Sequence, residues 1–557
     1  MCGIAGFISQ NKKFDPKKVV SNMLDAIRYR GPDQKGIKTY GDVTLGMTRL
    51  SIIDKETHAI PYEDISGRYA VVYNGEIYNH DDIRKRLSKR YDFKTASDAE
   101  TVLYNYVEKG MRSFIDYNGM YAFALYDGVK KKVFIVRDKA GEKPLFYTKA
   151  KDFMAFASEM KCLLELVEPE FNAASISYKS YEFTVGQETL FKNIYCLEPG
   201  EYIEICNGRS TKRDYWKVWD NLIEVKDDEK AILSKLSDLI EDAILLRTKN
   251  SVHDYGCFVS GGVDSALVAC IAKPEHIYTV HYDYADFDEL SYAQLVAKKI
   301  KKKLTIVRPT KEDFLRTRAK IAYHLDTPSI WTTFSLWMLL ERAHKDVRVV
   351  LTGDGADEIF SGYHRYFLLY HDEQIHKLEA MKKYTYLIDR YYGSPVERYA
   401  RIINRCENQF DEKVNEYLSE SINFFFKKVE SDVVHSMGLN DFYTTMQILL
   451  QMYDRICMAF SVENRSPFLD HRLVQFAFSM PSKYKIRDGV TKWALKEVAK
   501  NFIPKEIVGR IDKRGFSAPV NKWFEWDKNG KYNRTAYKNL AFEDWKNVFK
   551  VKGAVNV

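Results

Sequence analysis

Tyr255-Gly256-Cys257-Phe258-Val259-Ser260-Gly261-Gly262-Val263-Asp264-Ser265 decides the fold of the second half of this chain. A short apolar run breaks into a glycine-rich turn, and a helical period starts at 264. The backbone N–H groups of such a turn, with those of the first helical turn, are where a phosphate is usually held. The turn lacks the Gly-Lys-Ser/Thr ending of a Walker A loop. Downstream, strand 255–259 precedes helix 264–272, strand 277–282 precedes helix 288–301, and strand 304–308 precedes helix 311–323. Helix 333–344 then precedes strand 347–351. This alternation predicts an α/β doubly wound parallel sheet. Beyond residue 360 the chain reads as a helical C-terminal part, rich in Tyr and Phe.

Upstream the pattern is different. Alternating apolar runs at Cys2–Ile8, Val43–Arg49, Tyr69–Tyr73, Ala122–Tyr126, Val133–Arg137, Phe153–Ala157 and Tyr202–Ile205 read as strands. Helical patterns interrupt at Pro16–Ile27, Asp81–Lys89 and Ala99–Glu108. This is a layered α+β domain without βαβ alternation. A mixed-charge stretch at Asp220–Lys230 and a long amphipathic helix, Ala231–Thr248, mark the join. The expected domains are 1–210 and 230–557.

Composition narrows the class. The 557 residues exceed what one core usually organises. A hydrophobic fraction of 45% and a charged fraction of 29% are those of a globular protein. No run approaches a membrane span, and the N-terminus does not read as a signal peptide. The eight cysteines form no CxxC pair, so a cytoplasmic, reducing compartment is expected. The net charge of +8 and the lysine clusters at 130–132 and 299–303 read as solvated faces, without the interleaved aromatics of a nucleic-acid platform. No nucleic-acid or membrane partner is expected; a homodimer is the candidate assembly.

Cys2 stands directly behind Met1. Once Met1 is removed, its thiol lies beside a free α-amine able to act as its base. Three fragments accompany it: Arg49-Leu50-Ser51-Ile52-Ile53-Asp54, Tyr73-Asn74-Gly75-Glu76 and Ser97-Asp98-Ala99-Glu100. Taken singly, Asn-Gly reads as a hairpin turn and Arg49 as a surface ion pair. Together, with Arg28-Tyr29-Arg30-Gly31-Pro32-Asp33, they resemble the N-terminal-nucleophile glutamine amidotransferases across nearly all of residues 1–200. The resemblance implies an αββα hydrolase domain. Cys2 would attack the glutamine amide, and Asn74 and the Gly75 N–H would form the oxyanion hole. Arg49, with Leu50, Ser51, Ile52 and Ile53, would hold the glutamine carboxylate end. Glu76 and Asp98 would take its α-ammonium.

The Ser260–Ser265 loop resembles the Ser-Gly-Gly-x-Asp-Ser loop of enzymes that split ATP into AMP and pyrophosphate. A second fragment, Leu351-Thr352-Gly353-Asp354-Gly355-Ala356-Asp357-Glu358, leaves another strand through glycines. With Asp454-Arg455, Val462–Asp470, Thr491–Lys496 and Arg514–Pro519, it makes residues 230–525 resemble the synthetase domain of glutamine-hydrolysing asparagine synthetases. That resemblance implies ATP and Mg²⁺. Phe258, Ser260, Gly261, Gly262, Asp264, Ser265, Val280, Thr352 and Gly353 would line the ATP site, and Asp264 and Asp357 would hold the metal. Asp354 and Lys492 would act at the adenylate, and His281 would crowd the nucleotide pocket. The implied substrates are glutamine, aspartate and ATP. The segment from His324 to Trp337 departs from the family and has no basic residue after His324. It keeps open the same amidation on another carboxylate, a sugar uronic acid or a specialised metabolite. A non-catalytic storage protein is opposed by intact Cys2, Asp264, Asp357 and Lys492. Met120 and Met458 are candidate walls of an ammonia passage.

Overall fold

The computed structural model describes the chain except residues 1, 55, 57–58, 174–181, 183, 185, 224, 250, 252, 285–286, 377–393, 404–411, 430–431, 511–516, 527–532 and 554–557. Cys406 and the Arg514-Gly515-Phe516 part of the last motif therefore lie outside the described residues.

Two six-stranded antiparallel sheets build the first half. One runs Tyr195–Cys196, Phe146–Lys149, Phe153–Ala157, Cys2–Ser9, Val43–Arg49, Gln34–Tyr40. The other runs Arg209–Asp214, Glu201–Cys206, Lys132–Arg137, Gly119–Asp127, Tyr69–Ile77, Tyr62–Glu63. The sheets pack face to face through Ile4, Leu45, Met47, Val71, Tyr73, Ala122 and Val133. The outer face of the first is covered by helix Pro16–Asp25, whose Val20, Met23 and Leu24 meet Ala5 and Phe7. Helix Asp98–Lys109 covers strand Tyr69–Ile77. The result is the αββα layering that the motifs implied. Strand Cys2–Ser9 is apolar on both faces because both are covered.

The seven apolar strands and three helices expected here are present, with ends shifted by a few residues. Strands Gln34–Tyr40 and Arg209–Asp214 were not read from the sequence. They are sheet edges, half or fully exposed, and so carry polar residues where an apolar alternation was sought.

The second half holds a five-stranded, wholly parallel sheet in the order Leu304–Val307, His276–Val280, Tyr255–Phe258, Val349–Leu351, Glu463–Arg465. Strand order reverses between Tyr255–Phe258 and Val349–Leu351, which are neighbours although far apart in sequence. Loops at such a switch point form the usual ligand crevice of a parallel sheet. The fifth strand also went unread: Glu463, Asn464 and Arg465 are all buried, yet none is apolar. Helix Glu229–Leu246 starts two residues earlier than expected, where the Asp228 carboxylate caps the Ala231 N–H at 2.8 Å.

One apolar cluster joins the halves. Leu50, Ile52, Tyr78, Met120 and Ala140 pack with Cys257, Ala266, Met458 and Phe468. Among the described residues no helix is long and apolar enough to cross a membrane, and the seven described cysteines carry free thiols.

Candidate active sites

Strand register places the first site. Cys2 lies opposite Arg49, and the Cys2 N–H donates to Asn74 Oδ1 at 3.0 Å. That bond orients the Asn74 amide, whose Nδ2 is buried without a hydrogen-bond partner among the described residues. Two residues on, Glu76 Oε1 is also buried and unpartnered. Positions 74 and 76 share one face of the strand. A buried orphan donor and a buried orphan acceptor therefore stand side by side near the thiol. Each costs roughly 1–3 kcal/mol unless a ligand satisfies it.

Burial pushes the Cys2 thiol above its ordinary range; the chain's positive amino terminus, a backbone hydrogen bond from Leu50 and Arg49 pull it partly back. The Arg49 guanidinium is buried and fixed by the carbonyls of Glu56, at 2.6 Å, and Asp54, at 2.5 Å. Asp98 accepts from the Tyr73 hydroxyl at 2.6 Å and the Ile77 N–H at 2.9 Å; burial raises its pKa. The Ser51 N–H donates to Asp33 at 2.8 Å, and Ile52 turns into the interdomain cluster.

Asn74–Gly75 is not the hairpin turn that the pair alone suggests; it sits mid-strand opposite Ala122 and Tyr121. A Cβ on Gly75 would lie 2.2 Å from the Met120 carbonyl oxygen and 2.6 Å from Tyr121 Cα. The neighbouring strand already requires the glycine.

The second site lies at the switch point. Ser260 Oγ and Ser265 Oγ are 3.0 Å apart, and the Gly262 N–H donates to Ser260 Oγ at 3.2 Å. Helix Val263–Ala272 starts at Gly262 with no side-chain cap, so its first N–H groups face the loop. Phe258 and Val280 end the flanking strands, both buried. A Cβ on Gly353 would fall 2.8 Å from Asp264 Cβ, so glycine lets the second loop lie on the first.

Lys492 Nζ bridges the two acids, 2.7 Å from Asp264 Oδ1 and 2.7 Å from Asp357 Oδ1. Lys492 adopts a left-handed backbone, φ 53°, which a side-chain-bearing residue takes at some cost. A Cβ on Gly362 would come within 2.0 Å of Lys492 Cε, so this glycine makes room for the bridge. Two carboxylates that meet on one cationic centre also fit a divalent ion completed by phosphate oxygens. Asp354 accepts from the Thr352 hydroxyl at 2.6 Å. Asp288 and Asp283 hold the ring nitrogens of His281 at 2.9 Å each.

A basic residue from elsewhere in the chain lies against the 324–337 segment. Arg534 of helix Arg534–Phe549 stacks on Trp331 at 4.0 Å, and Tyr537 donates to the Ile330 carbonyl at 3.1 Å. Thr332 and Thr333 reach Met452 Sδ at 3.6 and 3.3 Å.

A buried ionic cluster between the sites went unassigned from the sequence. Arg30 bridges Glu159 and Asp454, each at 2.8 Å, and Arg455 and Lys161 meet Asp326 at 2.5 and 2.7 Å. All are nearly or wholly buried. Arg30 and Asp454-Arg455 lay within motifs already noted, but charged residues read as surface until packing is known.

A family profile described as Asparagine synthase matches residues 235–545, more than half the chain, and one described as Glutamine amidotransferase domain matches residues 1–216. The chain belongs to the asparagine synthase family. "Asparagine synthetase [glutamine-hydrolyzing] 1" of Bacillus subtilis is 30% identical over 95% of this chain and 89% of its own length. A "Putative asparagine synthetase [glutamine-hydrolyzing]" of Mycobacterium bovis is 28% identical over 94% and 88%. "Amidase chry2" of Gibberella zeae is 26% identical over 98% and 93%. As a member of the asparagine synthase family with a glutamine amidotransferase domain, the chain is a glutamine-dependent, ATP-using amidating ligase.

Proposed function

We propose that this chain makes asparagine from aspartate, ATP and glutamine. Residues 1–210 would hydrolyse glutamine and residues 230–557 would activate aspartate. The observation that carries the first half is the orphaned Asn74 Nδ2 beside Cys2. Because burial disfavours the thiolate, the α-amine freed by loss of Met1 is the natural proton acceptor. Thiolate attack on the amide carbon places an oxyanion within reach of Asn74 Nδ2 and the Gly75 N–H. The immobilised Arg49 would hold the substrate carboxylate, while Glu76 and Asp98 would receive its ammonium.

At the other end, the aspartate carboxylate would attack the α-phosphorus of ATP and release pyrophosphate. Mg²⁺, held by Asp264 and Asp357, would neutralise phosphate charge when bound. Lys492, already between those acids, would turn to the pyrophosphate or adenylate. Ammonia would then displace AMP at the acyl carbon near Asp354. Met120 and Met458, fully buried in the cluster that joins the halves, would line an apolar passage for it.

Mass spectrometry of the product from aspartate, ATP and glutamine labelled at the amide nitrogen tests this. Labelled asparagine is expected, and a large excess of unlabelled ammonium should dilute the label little. Amidation of a different carboxylate with no asparagine would favour the second reading, which the unusual 324–337 segment motivates. Label diluted to the ratio of the bulk pools would exclude a protected passage.

A further inference from the structure

Helix Thr445–Ala459 runs between the two sites, and two consecutive residues on it face different ones. The Tyr453 hydroxyl is buried beside the carboxylate of Asp354, and burial and that charge together push it well above its ordinary range. The same carboxylate accepts from the Thr352 hydroxyl, and the Thr352 N–H donates to the Arg465 carbonyl at 3.1 Å. Asp354 is thus held by its own loop and lies against this helix.

Asp454 faces the other domain. It receives Arg30 Nη1 at 2.8 Å and Nη2 at 3.3 Å, in a bidentate fork. Arg30 Nε donates to the Cys2 carbonyl at 3.1 Å, and Glu159 holds Nη1 at 2.8 Å. Lys143 Nζ lies 3.6 Å from Asp454 Oδ1. Arg30 and Asp454 are 0% and 2% exposed. A buried ion pair is seldom worth more than apolar packing of the same volume, but removing one partner leaves the other charge buried and uncompensated. Such a pair fixes geometry better than it adds stability. Here the geometry it fixes is the peptide carbonyl of the nucleophile relative to a helix of the other domain.

We propose that Tyr453 and Asp454 are paired positioning residues, Tyr453 setting the Asp354 carboxylate and Asp454, through Arg30, setting Cys2, so that one helix turn ties the two sites together. Neither touches a reacting atom. The inference rests on the reading of Cys2 and Asp354 as reacting ends. Substrate that shifts Asp354 pulls on Tyr453; the adjacent Asp454 moves with it and carries Arg30 and the Cys2 carbonyl. Glutamine hydrolysis is thereby kept in step with amidation.

The test uses Tyr453→Phe, Asp454→Asn and Asp454→Glu in the full chain, each with a thermal unfolding midpoint measured. Tyr453→Phe should lower kcat for amidation roughly 10- to 100-fold with either nitrogen source, since small misplacements of a reacting group cost that much. Its pH profile should shift while the KM for ATP stays within about twofold. Asp454→Asn should raise the glutamate released per amide formed several-fold, and Asp454→Glu should bring that ratio back toward the parent's. The parent's kcat and pH profile in Tyr453→Phe, or the parent's ratio in Asp454→Asn, would overturn the proposal. Asp354→Asn, run alongside, separates the two levels. Full amidation in that variant removes Asp354 from the reaction and the proposal with it. Its loss, with parent behaviour in Tyr453→Phe, overturns only the positioning role.

Discussion

Around Cys2 the groups are held by strand register, whereas around Ser260–Ser265 they are held by one another. At the first site, pairing Cys2 with Arg49 and Asn74 with Ala122 leaves Asn74 Nδ2 and Glu76 Oε1 buried and uncommitted. At the second, Lys492 bridges Asp264 and Asp357, and Ser260 meets Ser265. The first site is prepared for a ligand by leaving groups unsatisfied. The second is satisfied internally, and under the proposed function its partners would be exchanged when a triphosphate and a metal arrive. A sheet can hold an orphan group because its backbone bonds maintain the geometry. A loop has no such support, so it closes on its own side chains until substrate opens it.

The largest expected effect cuts the two ends apart. Cys2→Ala should abolish glutamate release, a loss of at least ~10³-fold, and leave ammonium-dependent amidation near the parent's. If ammonium use fell as well in a folded variant, the two ends would not be separable. Next, Asp264→Asn and Asp357→Asn should each lower ATP-dependent pyrophosphate release by about 10³-fold while glutamine is still hydrolysed. Mg²⁺-independent turnover of the parent would show that the Lys492 bridge is itself the working arrangement.

Asn74→Ala sharpens the contrast from the prepared side. It should lower kcat for glutamine by roughly 10²–10³-fold with a smaller change in KM, because the orphan donor serves the oxyanion more than the bound amide. A change confined to KM would make Asn74 a binding group only.

The smallest effect comes from a residue remote from Cys2. Lys485 is fully buried, its Nζ has no hydrogen-bond partner among the described residues, and it lies over the Phe478 ring at 4.4 Å. Burial pulls its pKa down to about 7, with Asp432 opposing. The unfolded chain holds this proton to higher pH, so the penalty is present below pH 7 and fades as pH rises toward the ordinary lysine value. Lys485→Met should therefore raise stability by ~1–3 kcal/mol near pH 7, and the gain should shrink by pH 10. Thermal unfolding at both pH values checks the sign; a gain that grows with pH would contradict it.

Much was legible in the chain because it is local. The glycine-rich turn after Phe258, the βα alternation and the Cys2 fragments are patterns of neighbouring residues; they determined a layered α+β half and a parallel sheet, and the family resemblance they carry implied the αββα order and the candidate site residues. Edge strand Gln34–Tyr40 and buried strand Glu463–Arg465 escaped, since one is polar through exposure and the other through burial beside a binding crevice. Why Gly75 is glycine, that Lys492 spans both acids, that Arg534 covers Trp331, and that Arg30 reaches Asp454 across 424 positions were decided only by the tertiary structure. Periodicity tells which face of an element is buried. It does not tell which charged group from a distant segment will share that burial, because the partner is chosen by packing and by the requirement that a desolvated charge find its counterpart.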